Sequence, residues 1–205
     1  MLEFKLWKAE QDPRPESFKV DESSIVILKS GKDVKSQSKA SLWNPFVCES
    51  IEMLKGQQLQ CGKSLGIIKP DDDSLKFIAK PIKDASTETK EILQSSYDQI
   101  SLFGDNIKPL EKPEYVFSYR FKSANKQHEM QIHDWEVQET YRNYKIRYGG
   151  SDSAISMMED FYNKKIIEQS PHFIMGNMRR NPKQFMIIGI LRSSSTNQAS
   201  LFEIL

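Results

Sequence analysis

Cysteine is scarce in this chain. Its 205 residues include only Cys48 and Cys61. Neither has the paired spacing of a thiolate zinc site or a disulfide framework, so both read as reduced, ordinary thiols. Long apolar runs are missing as well: no stretch approaches the roughly twenty residues needed to cross a bilayer. The opening Met1-Leu2-Glu3-Phe4-Lys5 interleaves charge where a signal peptide would carry an unbroken apolar core. A soluble protein of the cytoplasm is the expectation. A dominant charge is absent too, with 29 Lys and Arg against 28 Asp and Glu for a formal +1. No chain-wide field therefore attracts nucleic acid or an anionic membrane, and affinity for a polyanion must come from a local patch.

What the chain does have is core material. Apolar residues make up 38%, aromatics 10% and charged residues 28%, a balance too apolar for disorder and too polar for a membrane bundle. At this length a core needs no metal or disulfide staple. Charge is distributed unevenly. Residues 1–114 hold 17 basic and 19 acidic side chains, net −2, whereas residues 115–205 hold 12 and 9, net +3.

The pattern of elements points to an α+β fold: a mainly antiparallel sheet covered by helices on one face, with a smaller N-terminal α/β portion. Leu2, Phe4 and Leu6 alternate like a half-buried strand, and Ser24 to Leu28 reads as another. Residues 29–41 are almost entirely Lys, Ser, Gly, Gln and Asp and predict a mobile loop. Asn44 before Pro45 predicts a helix start, with Val47, Ile51 and Leu54 on one face. Strands follow at Leu65–Lys69 and Leu75–Lys80, then a helix from about Thr87 to Gln99. Tyr115, Phe117, Tyr119 and Phe121 make a strand with one aromatic, core-facing side. Met130 to His133 leads into a helix capped by Asp134, with Val137, Tyr141, Tyr144 and Tyr148 as its buried stripe. Gly149 and Gly150 stop it, and Ser151 is placed to cap the next, which runs to about Gln169. His172–Arg179 and Gln184–Arg192 close the chain as a hairpin turning through Arg180, Asn181 and Pro182. Its second strand, apolar on both faces, is expected at the sheet centre. This organises the chain as residues 1–112, with the Lys/Ser loop, and residues 113–205, a β-β-α-α-β-β unit, packed as two subdomains or as one compact domain.

Motifs for nucleotide hydrolysis and acyl transfer are lacking. Gly62-Lys63-Ser64 resembles the end of a phosphate loop, but the signature needs Gly five positions before Gly62, where Gln57 stands. A helix stop followed by a strand accounts for it. No Gly-x-Ser-x-Gly elbow exists, and neither cysteine sits in a nucleophile motif. The densest set of acid, base and metal-ligand types is His128, His133, Asp134 and Glu136, at a strand-to-helix junction. Were His133 and Glu136 to converge with His128 or His172, they could hold a divalent metal activating water against a phosphodiester. Catalytic candidates are thus His133, Asp134 and Glu136, although helix capping and the helix dipole explain the two acids without any substrate.

The most useful binding feature is basic. Arg179, Arg180 and Lys183 cluster at the hairpin turn, with Arg192 at the far end of its second strand. A two-stranded ribbon with a cationic tip suits a phosphate backbone or a groove. The favoured reading is a noncatalytic binding or accessory protein that contacts nucleic acid, or a nucleic-acid-processing partner, through Arg179, Arg180, Lys183 and Arg192, with no metal or cofactor. The alternatives are the metal-dependent phosphodiester hydrolase and a protein-binding assembly subunit using the apolar tail Leu201, Phe202, Ile204 and Leu205. A membrane partner is not expected.

Overall fold

The computed structural model describes residues 2–12, 14–28, 42–71, 73–84 and 113–192. Four short strands come first: β1 (Leu2–Glu3), β2 (Leu6–Lys8), β3 (Phe18–Val20) and β4 (Val26–Ile27). β1 pairs with β4 and β2 with β3, as two separate antiparallel pairs. Alternation predicted one half-buried strand here, but Leu2, Phe4 and Leu6 are all exposed. The chain breaks between the pairs, where the Lys5 amide donates to Ser24 Oγ at 2.8 Å, and strands of two or three residues present too little face to bury. Asp12 holds the loop between β2 and β3, accepting from Arg14 Nε at 2.9 Å and Ser17 Oγ at 2.7 Å.

Next come β5 (Val47–Cys48), α1 (Ile51–Cys61), β6 (Leu65–Ile68) and β7 (Lys76–Pro81). Asn44–Phe46 forms a single 3-10 turn rather than the expected helix start. Val47 and Cys48 are drawn out to pair in parallel with Ile67 and Ile68, and the helix begins only at Ile51. Ser50 caps it, its side chain accepting from the Met53 amide at 3.0 Å. Gly62 ends it at φ +73°, a left-handed conformation that glycine adopts without strain. The helix lies so close to β6 that a Cβ on Gly66 would stand 2.7 Å from Leu54 Cδ1. The helix predicted from Thr87 to Gln99 and the loop predicted at 29–41 lie outside the described residues.

The rest is β8 (Tyr115–Ser123), β9 (Lys126–Gln131), α2 (Trp135–Tyr148), α3 (Ser151–Asp160), β10 (His172–Met178) and β11 (Asn181–Leu191). These strands complete two sheets in the orders β7-β8-β9 and β11-β10-β6-β5, antiparallel except at β5–β6. An α+β fold results, as the pattern implied. The sheets meet where the chain leaves β9: the Ile132 amide donates to Phe117 O at 2.8 Å and the next amide, His133, to Ile187 O at 2.7 Å. Ile132 thus bridges in parallel to Ile187.

Between the sheets lies an aromatic core. Phe77, Phe117, Tyr119, Phe121 and Phe173 are all at most 1% exposed, and burying each contributes about 1.5–3 kcal/mol. Tyr119 stacks on Phe173 at 5.0 Å, and Phe77 on Tyr162 at 4.6 Å. The Tyr119 hydroxyl donates to Tyr162 O at 3.0 Å, so its one polar group is satisfied. Tyr162 sits in a π-helical turn, Phe161–Lys165, that extends α3. From the same turn Asn163 Oδ1 accepts the Phe77 amide of β7 at 2.7 Å.

Asp134 caps α2 as expected, accepting from the Glu136 amide at 2.9 Å, and Gly149 ends it at φ +74°. Ser151 does not cap α3; its hydroxyl donates to Glu114 Oε2 at 2.8 Å. Glu114 also accepts from Tyr141 at 2.6 Å and pairs with Lys145, and these partners hold its carboxyl down to about 2 while the Tyr141 phenol is pushed up to about 12, chiefly by burial. β11 lies at the end of its sheet rather than the centre. Its two apolar faces have another cause: Phe185, Met186 and Ile187 are buried beside the Ile132 bridge.

Candidate nucleic-acid interface

The β10–β11 hairpin turns on two residues, Arg179 and Arg180, since Met178 is registered with Asn181. Neither arginine has positive φ, so the turn is not of the primed kind that matches the twist of paired strands. The register shifts immediately beside it. Asn177 pairs with Phe185, leaving Pro182, Lys183 and Gln184 bulged from β11 without partners on β10. Pro182 suits such a position because it has no amide to pair. Asn177 Nδ2 donates to Pro182 O at 2.8 Å, and Asn181 Nδ2 donates to Gln184 Oε1 at 2.7 Å, which pins the bulge. Sequence spacing placed the turn one residue later and gave no sign of the bulge.

The bulge opens a cleft. Above the Ile132–Ile187 bridge β9 and β11 separate, leaving a concavity of about 360 Å³ lined by Lys183, Asn181 and Gln184 on one side and Glu129, Gln131 and His133 on the other. That volume lies in the range of small-ligand sites. Lys55 reaches it from α1, and Met130, Phe185 and Met186 line its apolar part. Its one carboxylate, Glu129, is already matched: it accepts from Lys80 Nζ at 2.5 Å and Arg120 Nη2 at 2.8 Å, and those bonds lower its pKa. Among the described residues, Lys55, Lys183, Arg179 and Arg180 pair with no carboxylate. Arg179, Arg180 and Lys183 are exposed. Sequence reasoning missed Lys55, for which no local signal exists because only the packing of α1 brings it to the cleft.

Arg192 is not part of this cluster. It stands at the other end of β11, roughly 30 Å along the strand from the tip, where its guanidinium lies 3.8 Å from Glu136 Oε2 and is largely covered. The catalytic candidates are likewise dispersed among structural tasks. Asp134 caps α2 and Glu136 faces Arg192, while the His133 ring hydrogen-bonds Gln131 Oε1 at 3.2 Å. Burial lowers the His133 pKa, so its imidazole is neutral at pH 7. His128 lies 3.7 Å from Glu52 and His172 bonds Ser170 O at 3.0 Å, each in its own surroundings. Among the described residues no three His, Cys, Asp or Glu side chains are grouped to hold a metal ion. The apolar tail Leu201, Phe202, Ile204 and Leu205 lies outside the described residues. No helix among them is long and apolar enough to cross a membrane.

No curated protein and no solved structure matches the chain. Residues 48–205 match the family described as Domain of unknown function (DUF8757). That span begins inside β5 and takes in both main sheets, the hairpin and the cleft, and the chain therefore belongs to this family.

Proposed function

We propose that the protein is a noncatalytic nucleic-acid-binding protein that holds a phosphate backbone on the β10–β11 tip and the cleft beside it, alone or as an accessory to a nucleic-acid-processing partner. The observation that carries this reading is the set of four cations, Arg179, Arg180, Lys183 and Lys55, with no carboxylate partner among the described residues. A cation already in an ion pair releases little free energy on meeting a phosphate; these four have no such bond to break. The site works as one unit because strands on both sides of residue 112 share each main sheet, β7 with β8 and β6 with β10, and we take the described residues between 47 and 192 as one folding unit on that ground. The free thiols, Cys48 buried and Cys61 exposed, suit the reducing cytoplasm as its compartment.

A salt series tests the proposal. Four phosphate contacts give a slope of log K against log salt of about −3.6 on duplex DNA and about −2.8 on a single strand. Arg179→Ala with Arg180→Ala should reduce the slope by about 1.8 on duplex and weaken binding to every sequence alike. Unchanged affinity and slope in the double variant would remove this surface from consideration. Arg192→Ala serves as the control, since its partner is Glu136.

A further inference from the structure

A second concavity, of about 500 Å³, runs along β5 and β6. Its walls are mainly apolar: Phe46, Val47, Met53, Leu65, Ile67 and Ile174 line it, and Phe46, Met53 and Leu65 are 67%, 42% and 41% exposed. Side chains this apolar rarely stand so open together without something to cover them. Polar groups in it are few and specific. Lys63 Nζ donates to Gln57 Oε1 at 2.9 Å and lies 3.8 Å from Cys48 Sγ, half-buried between an amide and a thiol. Among the described residues it pairs with no carboxylate.

The carboxylate that lines the groove, Glu16, is turned onto the main chain. It accepts from the Ser64 amide at 3.0 Å, the Ser64 hydroxyl at 3.1 Å and the Leu65 amide at 3.3 Å. Its oxygens are engaged there by three donors, whereas the Lys63 ammonium, the one cation lining the groove, has a single neutral oxygen acceptor in Gln57. An apolar wall with one convergent cation is the recognition chemistry for a ligand with an apolar chain and a single negative head. A dianionic phosphate fits worse, because the lining holds one cation and the second charge would be left without a partner against apolar wall.

We propose that this groove binds an apolar-chain monocarboxylate, its head on Lys63 and its chain along Phe46, Met53 and Leu65. The site is separate from the basic cleft, shares no residue with it, and stands or falls independently of nucleic-acid binding. Titration calorimetry of the full chain with decanoate and with 1-decanol tests it. Decanoate should bind about tenfold more tightly than 1-decanol, the effect of one charge-assisted hydrogen bond. Lys63→Met keeps the side-chain stem and removes the charge, so it should lose roughly that tenfold for decanoate and none for 1-decanol. Lys63→Arg should retain the preference, which separates loss of charge from loss of fold. The idea is overturned if the parent chain takes up no decanoate, or if Lys63→Met binds decanoate as well as the parent does.

Discussion

The N-terminal arm and the body, meaning the described residues within 2–28 and within 47–192, start from the same period-two alternation and end differently. In the arm, every residue of β1, β2, β3 and β4 is exposed. In the body, Phe117, Tyr119 and Phe121 of β8 are buried on the face the pattern assigns to them. Alternation therefore specifies which residues share a face, while burial depends on whether a second layer exists to receive it. β8 has one, from β10 and the α2–α3 pair; the two-stranded pairs of the arm have none, and such ribbons are marginal by themselves. The family match also begins at residue 48, in β5, and leaves the arm out.

The contrast is sharpest in its energetics. Phe117→Ala should cost about 3–5 kcal/mol in chemical denaturation, through lost transfer energy and the cavity left against Phe77 and Tyr141. Leu6→Ala in the arm should stay within about 0.5 kcal/mol, as at other exposed sites. Similar costs at the two positions would show that the arm is part of the cooperative core.

Two carboxylates give intermediate effects. Asp71 clasps the β8–β9 turn, accepting from the Ala124 amide at 3.2 Å and the Asn125 amide at 2.9 Å, both residues at positive φ. Asp71→Ala should destabilise the body by about 1–3 kcal/mol. Glu16 ties the arm to the body through Ser64 and Leu65, and Ser64 is buried. Glu16→Ala should cost about 1 kcal/mol for the orphaned amide, and it should speed proteolytic cleavage within residues 2–28 while the body stays resistant. Equal cleavage rates in parent and variant would mean that the arm is held by other contacts.

Much of this architecture was legible in the sequence where its causes are local. Asp134 and Gly149 bound α2 because a cap acts within one turn, and Tyr115 to Phe121 declare their face by alternation alone. The failures are nonlocal. Asn44-Pro45 carries good start chemistry, yet Val47 and Cys48 pair with Ile67 and Ile68, and that pairing moves the helix start to Ser50. Lys55 reaches the cleft from a helix more than a hundred residues before the basic turn. The basic turn itself was visible; which cations accompany it was not, because that depends on how α1 packs.

Acid separates the two regions with the smallest effect but in a definite order. All three histidines belong to the body, and burial lowers the pKa of each below its ordinary 6.5. For His128 burial outweighs the nearby Glu52, which acts in the opposite direction. A neutral, buried imidazole takes up its proton more readily once unfolded. The contribution to stability is therefore complete above pH 6.5 and is lost as pH falls through the lowered folded values. Glu114, held near 2 by Lys145, Tyr141 and Ser151, adds a second loss only as pH falls below 4.5. In the arm the corresponding group is Asp12, which its bonds to Arg14 and Ser17 hold below its ordinary 3.8, so that clasp loosens only in stronger acid. A titration from pH 7.5 to 3 followed by two-dimensional NMR should show body amides around His128 and His133 responding first, while Asp12 and Ser17 stay unchanged until below pH 4. The reverse order would mean that histidine burial does not govern the acid response of the body.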